Sequence, residues 1–199
     1  MVVQTQQHYY TPEEYLELEE KAEVRNEYID GEIKPMTGGT TNHNKIAGNF
    51  YKKFPDSIDG QNYDIYINDV KLWLPKYRIY TYPDVMVIKG EPIYEGSGTT
   101  KIINPSLIVE VLSNSTKNYD KGDKFKYYRS IPSFQEYILI DQYSFAVEQY
   151  AKQSQGQWLF KEYEGKDAIL NLDSVKLEMS FKDIYARVEF ETSEDVESI

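Results

Sequence analysis

The chain has 199 residues, a net charge of −11, no cysteine, and His8 and His43 as its two histidines. Disulfides, thiolate zinc sites and multi-histidine centres are therefore excluded, and any bound ion must be held mainly by oxygen, which favours Mg²⁺, Mn²⁺ or Ca²⁺. The acidic balance argues against a general nucleic-acid coating protein. No segment is long and apolar enough to span a bilayer, MVVQTQQHYY lacks the apolar core of a signal peptide, and the missing cysteines fit a cytoplasmic location.

In chain order, Thr11-Pro12-Glu13-Glu14 is a capping box with proline at the first helical position, predicting a helix to about Ala22. NEYIDGEIK predicts a hairpin turning at Asp30-Gly31. After Gly38-Gly39, Thr41 or Asn42 is expected to cap a helix with Ile46, Phe50 and Phe54 on one face. YDIYINDVKLWL and IYTYPDVMVI each read as a strand, with Pro83 near the start or at an edge of the second. SLIVEVL is the expected central strand, TKNYDKGDKFKYYRS a helix despite Gly122, and FQEYILID another buried strand. FAVEQYAK and WLFKEYEG form a hairpin across Ser154-Gln155-Gly156. This order predicts a single α/β domain with a mixed sheet, in which helix 117–130 crosses over between parallel strands at 107–112 and 135–141. Glu189, Glu191, Glu194, Asp195 and Glu197 form an acidic tail over about 189–199, expected to be frayed and solvated. The nineteen tyrosines suit half-buried strands better than base stacking.

Two carboxylates are out of place in this pattern. Glu110 interrupts Leu107-Ile108-Val109-Glu110-Val111-Leu112, where alternation puts Ile108, Glu110 and Leu112 on one face and Leu107, Val109 and Val111 on the other. A strand apolar on both faces is covered on both, so an ionised Glu110 needs a cation, a metal or a proton. Asp84 follows Pro83 at the mouth of another apolar run. If the two strands are neighbours, the carboxylates approach and repel, and a divalent cation or a shared proton relieves them. The plainer alternative is a salt bridge from each to a nearby lysine, with Asp84 as a turn or cap residue.

The ordered pattern Pro83-Asp84 … Glu110-Val111-Leu112 resembles the PD-(D/E)XK nuclease superfamily. Over Tyr10 to about Tyr185 the chain is similar to the Uma-type family of restriction endonucleases within it. The matching stretches are YTPEEYLELEE, NEYIDGEI with Glu27 and Gly31, His43 in TNHNKI, PSLIVEVLSNST, DKGDKFKYY with Asp120, Lys124 and Tyr128, and IPSFQEYILID. The resemblance implies a restriction-endonuclease-like core over about 10–185, with flanking helices and the C-terminal β-hairpin. It implies Mg²⁺ or Mn²⁺ held by Asp84, Glu110 and the Val111 carbonyl, and a DNA substrate. Leu112 stands where the superfamily carries its lysine, and the resemblance makes Lys124 the migrated replacement, ahead of Lys121 and Lys126. On that reading Lys124→Ala is expected to keep the fold and bind Mn²⁺ while cutting more slowly; read without the resemblance, Asp120 and Lys124 are an ordinary helical i,i+4 ion pair. Glu27 matches an acidic position that supports the metal site, though alone it reads as an exposed charge. His43 either contacts a phosphate near a helix start or is structural, and Ser113 either bonds a ligand oxygen or ends its strand.

The leading expectation is a metal-dependent endonuclease acting on DNA. The alternative is a catalytically inactive nuclease-fold module for binding or dimerisation, favoured by Leu112 and the acidic balance. Cutting both strands would suit a homodimer.

Overall fold

The computed structural model describes residues 8–190. Thr11 caps α1 (Pro12–Glu19), where its side chain accepts from Glu14 N and the Glu14 side chain accepts from Thr11 N. The helix stops at Glu19, short of Ala22, and the Glu19 carboxylate turns inward to accept from Asn26 and the Tyr82 hydroxyl. β1 (Asn26–Ile29) and β2 (Glu32–Pro35) form the expected hairpin. Its turn needs φ of 45° at Asp30 and 105° at Gly31, and a Cβ on Gly31 would lie 2.7 Å from Tyr9 Cδ1. Helix α2 (Thr41–Lys53) is capped one residue earlier than expected, by Thr40, whose side chain accepts from His43 N.

The two long extended stretches, each expected to be one strand, pair with each other and each breaks in two. β4 (Gln61–Ile67) pairs antiparallel with β7 (Val85–Lys89), and β5 (Lys71–Leu74) with β6 (Ile79–Thr81). Ile67 opposes Val85 while Leu72 opposes Thr81, so one side holds one residue more than the other. This bulge, with Asn68 at φ 57°, bends the hairpin from one sheet into another, and the sequence shows no interruption because alternation continues through it. Pro83 lies in the bend, next to Asp84.

β9 (Leu107–Leu112) lies parallel to β10 (Glu136–Asp141) and antiparallel to β7. The crossover between β9 and β10 is a helix of three segments: α3 (Lys117–Tyr119), a π turn (Asp120–Lys124) and α4 (Phe125–Tyr128). β11 (Ala146–Lys152) and β12 (Trp158–Glu164) form the later hairpin. With β3 (Ser57–Ile58) the main sheet has seven strands, ordered β12-β11-β10-β9-β7-β4-β3. A second sheet, ordered β2-β1-β6-β5-β8 with β8 at Lys101–Ile102, was not foreseen as a separate layer. A third pair, β13 (Ile169–Leu172) with β14 (Leu177–Ser180), and α5 (Phe181–Ile184) close the fold.

All six residues of β9 are buried. Leu107, Val109 and Val111 belong to the core that contains Ile46 and Phe50 of α2 and Phe181 and Ile184 of α5. Ile108 and Leu112 belong to the opposite core with Leu72, Tyr128, Phe134 and Tyr137. Glu189 is not free, since its carbonyl accepts from Asn42 Nδ2, and the rest of the acidic tail, from Glu191, lies outside the described residues. Among the described residues no helix is long and apolar enough to cross a membrane.

Because Leu112 is 5 % exposed, Leu112→Ala should cost roughly 2–5 kcal/mol, the range for buried leucine truncation. Urea denaturation measures it, and a near-neutral result would place Leu112 in an open cleft.

Candidate active site

The end of β9 and the bend before β7 open into a cavity of about 410 Å³, whose lining includes Glu27, His43, Asp84, Glu110, Ser113, Asp120 and Lys124. Its position follows from register. Val85 opposes Val109, so the next residues outward, Asp84 and Glu110, face each other where the ladder ends. Asp84 continues the ladder with its side chain, since Val111 N donates to Asp84 Oδ2 at 2.7 Å. Asp84 N lies 3.4 Å from Glu110 Oε2, a long contact that still places the two acids side by side.

Glu110 is 3 % exposed, and its partners come from the crossover helix. Lys124 Nζ donates to Glu110 Oε1 at 3.0 Å and the Tyr128 hydroxyl to the same oxygen at 2.7 Å. Lys124 Nζ also lies 3.0 Å from Asp120 Oδ1, an ion pair rather than a hydrogen bond, since that oxygen has no hydrogen-bond partner. The π turn directs both Asp120 and Lys124 into the buried face, a distortion common at functional sites. The Asp120–Lys124 pair is thus no solvated surface pair: Asp120 is 2 % and Lys124 8 % exposed.

Burial, with Asp84 and Asp120 adding repulsion, pushes the Glu110 carboxyl up to about 8 against the pull of Lys124 and Tyr128. Lys124 is held well above the ordinary lysine range, because Glu110 and Asp120 outweigh the burial that opposes its charge. Burial lowers the His43 pKa, but the hydrogen bond to Asp84 together with the charges of Asp84 and Asp120 outweighs it, and the net direction is upward. His43 Nε2 lies 3.1 Å from Asp84 Oδ2. Gly39 permits this placement, since a Cβ there would lie 3.0 Å from His43 Nδ1.

The family described as "Uma2: Putative restriction endonuclease" matches residues 12–184. The chain belongs to the Uma2 family. Two uncharacterized proteins of Synechocystis sp. are similar to it: sll1609 is 42% identical over 167 residues, covering 84% of this chain and 94% of that one. The other, slr1290, is 37% identical over 180 residues, covering 90% and 93%. A crystal structure of "a putative nuclease belonging to DUF820" from Anabaena variabilis matches with a TM-score of 0.69 at 22% identity, covering 90% of this chain and 99% of that one. At that identity the likeness shows the fold.

In this Uma2 chain the cavity gathers Glu27, His43, Asp84, Glu110, Val111, Ser113, Asp120 and Lys124, while Tyr128 stands behind Glu110. Glu27 is held by the Thr81 hydroxyl, which donates to its Oε1. Ser113 exchanges hydrogen bonds with Ser115 and Thr116 at the start of the crossover. Lys121 and Lys126 are not brought in: Lys121 pairs with Glu148, and Lys126 lies over the rings of Tyr77 and Tyr127. Gln142 was missed. It is 1 % exposed, donates to the Leu112 carbonyl at 2.8 Å and accepts from the Thr40 hydroxyl, tying β9 to the cap of α2. A glutamine just after a strand carries no signal for such a role. Tyr119 also lines the cavity, with a buried hydroxyl that lacks a hydrogen-bond partner.

Lys124 balances two buried carboxylates, so its removal should cost stability where it was expected to leave the fold intact. Lys124→Ala should destabilise the metal-free protein by about 3–5 kcal/mol, as breaking a buried pair does. Glu110→Gln leaves the Lys124–Asp120 pair balanced and should be neutral or stabilising. Urea melts in EDTA compare the two, and the charge-balance account fails if Glu110→Gln is the more damaging.

Proposed function

We propose that this Uma2 protein is a metal-dependent endonuclease that hydrolyses phosphodiester bonds in DNA, with Asp84, Glu110 and the Val111 carbonyl holding Mg²⁺ or Mn²⁺. The observation that carries the reading is the convergence of Asp84, Glu110 and Lys124 on one cavity. The donor set fits such an ion. Lys124 and Tyr128 both occupy Glu110 Oε1, leaving Oε2 on the Asp84 side, while Val111 and His43 both engage Asp84 Oδ2. No group of three or more His, Asp or Glu side chains among the described residues could cage an ion alone. A site with one or two carboxylates, completed by water and substrate oxygens, matches Mg²⁺.

Bound there, the ion would polarise the scissile phosphate and lower the pKa of an attacking water. The protein's own residues prepare the rest. Tyr128 and Lys124 orient Glu110, and His43 and Val111 N orient Asp84, so neither acid must reorganise. The Lys124 ammonium orients the water or stabilises charge developing on the phosphate. The rival, a nuclease-fold module that binds without cutting, draws on the same lysine: its ammonium is already engaged by Glu110 and Asp120, and Leu112 packs where the superfamily places a lysine.

Plasmid cleavage with Mg²⁺ or Mn²⁺ separates the two. The parent should cut. Asp84→Asn and Glu110→Gln should abolish both cleavage and the Mn²⁺-induced thermal shift. Lys124→Gln should retain the thermal shift while cutting about 10²–10³-fold more slowly, as loss of transition-state charge stabilisation requires. A parent that shows no shift and cuts neither DNA nor RNA establishes the non-cutting module.

A further inference from the structure

Beside the cavity lies a second charged cluster, of opposite sign. Tyr82 lines the cavity, and the same ring has the Arg25 guanidinium 5.5 Å and Lys71 Nζ 5.4 Å from its centroid. Met36, also on the cavity wall, donates from its backbone to the Arg25 carbonyl at 2.8 Å, so the cluster is continuous with the rim. Lys71 opens β5 and stands directly opposite Lys101, the first residue of the edge strand β8.

Like charges facing each other across a ladder cost stability. This chain has 33 acidic residues against 22 basic ones from which a partner could be drawn. Yet among the described residues neither Lys71 nor Lys101 has a carboxylate within 4.0 Å. Arg25 has Asp69 at 3.4 Å, with both side chains exposed. The Glu19 carboxylate, which attracts Lys71, is committed to Asn26 and Tyr82. Burial lowers the Lys71 pKa, with Arg25 and Lys101 adding to it against the pull of Glu19 and Glu20. Three cations are therefore held together, two of them half-buried and without an ion-pair partner.

We propose that Arg25, Lys71 and Lys101 form an anion subsite that holds a backbone phosphate of a polynucleotide, flanking the phosphodiester in the cavity. The inference deepens the nuclease reading and rests on it: the substrate is a strand with phosphates on both sides of the Tyr82 wall, not a mononucleotide ester.

The test is fluorescence anisotropy of a labelled DNA oligonucleotide with Ca²⁺ present, over a salt series. Lys71→Gln combined with Lys101→Gln should bind about tenfold or more weakly, with the slope of log affinity against log salt smaller by about one, the loss of one phosphate contact. Lys101→Glu guards against misfolding, because it replaces a like-charge pair across the ladder with an opposite pair. It should melt no lower than the parent at low salt and still bind DNA more weakly. Hydrolysis of bis(4-nitrophenyl) phosphate, which has no flanking phosphate, should be unchanged in the Lys71→Gln, Lys101→Gln variant. Unaltered DNA affinity and salt slope would overturn the subsite, as would a parent that binds no DNA. A parent that binds through these lysines but cuts nothing upholds the subsite and removes the cutting reading.

Discussion

A carboxylate in the middle of a strand buried on both faces is the constraint around which this molecule is arranged. Glu110 is almost wholly buried on β9, so its partners must arrive on the face it shares with Ile108 and Leu112. A parallel crossover is what delivers them. The chain leaves β9, runs through a helix over that face and returns as β10 beside β9, and the helix brings Lys124 and Tyr128 onto Glu110 Oε1. The contrast with Glu136 on β10 is instructive. That carboxylate is also buried, but both its oxygens accept from neutral donors: Oε1 from Asp173 N and Gln149, Oε2 from Ser174 N and Ser174 Oγ. Glu136 is satisfied by its surroundings, whereas Glu110 keeps Oε2 turned toward Asp84.

Charge accounts for the rest of the site. Asp84, Glu110 and Asp120 face Lys124 and His43 in a space mostly withdrawn from water; burial raises Glu110, with neighbouring carboxylates adding to it, while Asp84 and Asp120 raise His43 against burial. Such a site repels a phosphate unless a divalent cation enters first. The proposed subsite of Arg25 and Lys71 at the Tyr82 ring, with Lys101 opposite Lys71, would supply attraction that the carboxylate-rich cavity does not. An acidic net charge and an affinity for a polyanion are compatible when opposite charges are segregated over the width of one tyrosine.

The features legible in the sequence were those set by local rules. The Thr11 capping box, the Asp30-Gly31 turn, the face alternation of β9 and the crossover helix each depend on a few neighbouring residues, and each is present. The division into two sheets was not legible, because a one-residue bulge leaves apolar alternation unbroken on either side of it. Likewise Thr40 rather than Thr41 caps α2, a choice among adjacent hydroxyl and amide side chains that propensity does not resolve. The inward turn of Lys124 depends on the π turn, for which Asp120-Lys121-Gly122-Asp123-Lys124 carries no signature beyond its glycine. Gln142 acts only through tertiary contacts with Thr40 and Leu112, distant in sequence.

The bulge and the acid at the bend are one device. A hairpin that stayed in register would continue the β7–β9 ladder past Val85, and backbone would satisfy the Val111 N–H. Because Pro83 and the extra residue turn the chain into the second sheet, that donor loses its backbone partner, and the Asp84 side chain takes its place at 2.7 Å. The carboxylate is thereby anchored by an obligatory backbone bond rather than by a mobile side chain, and it stands beside Glu110 before any ligand arrives. The same bend sends the chain back through Tyr82 and Thr81, which hold Glu19 and Glu27. A single change of register therefore positions the acid, builds the wall of the cavity and opens the second sheet whose lysines lie behind that wall.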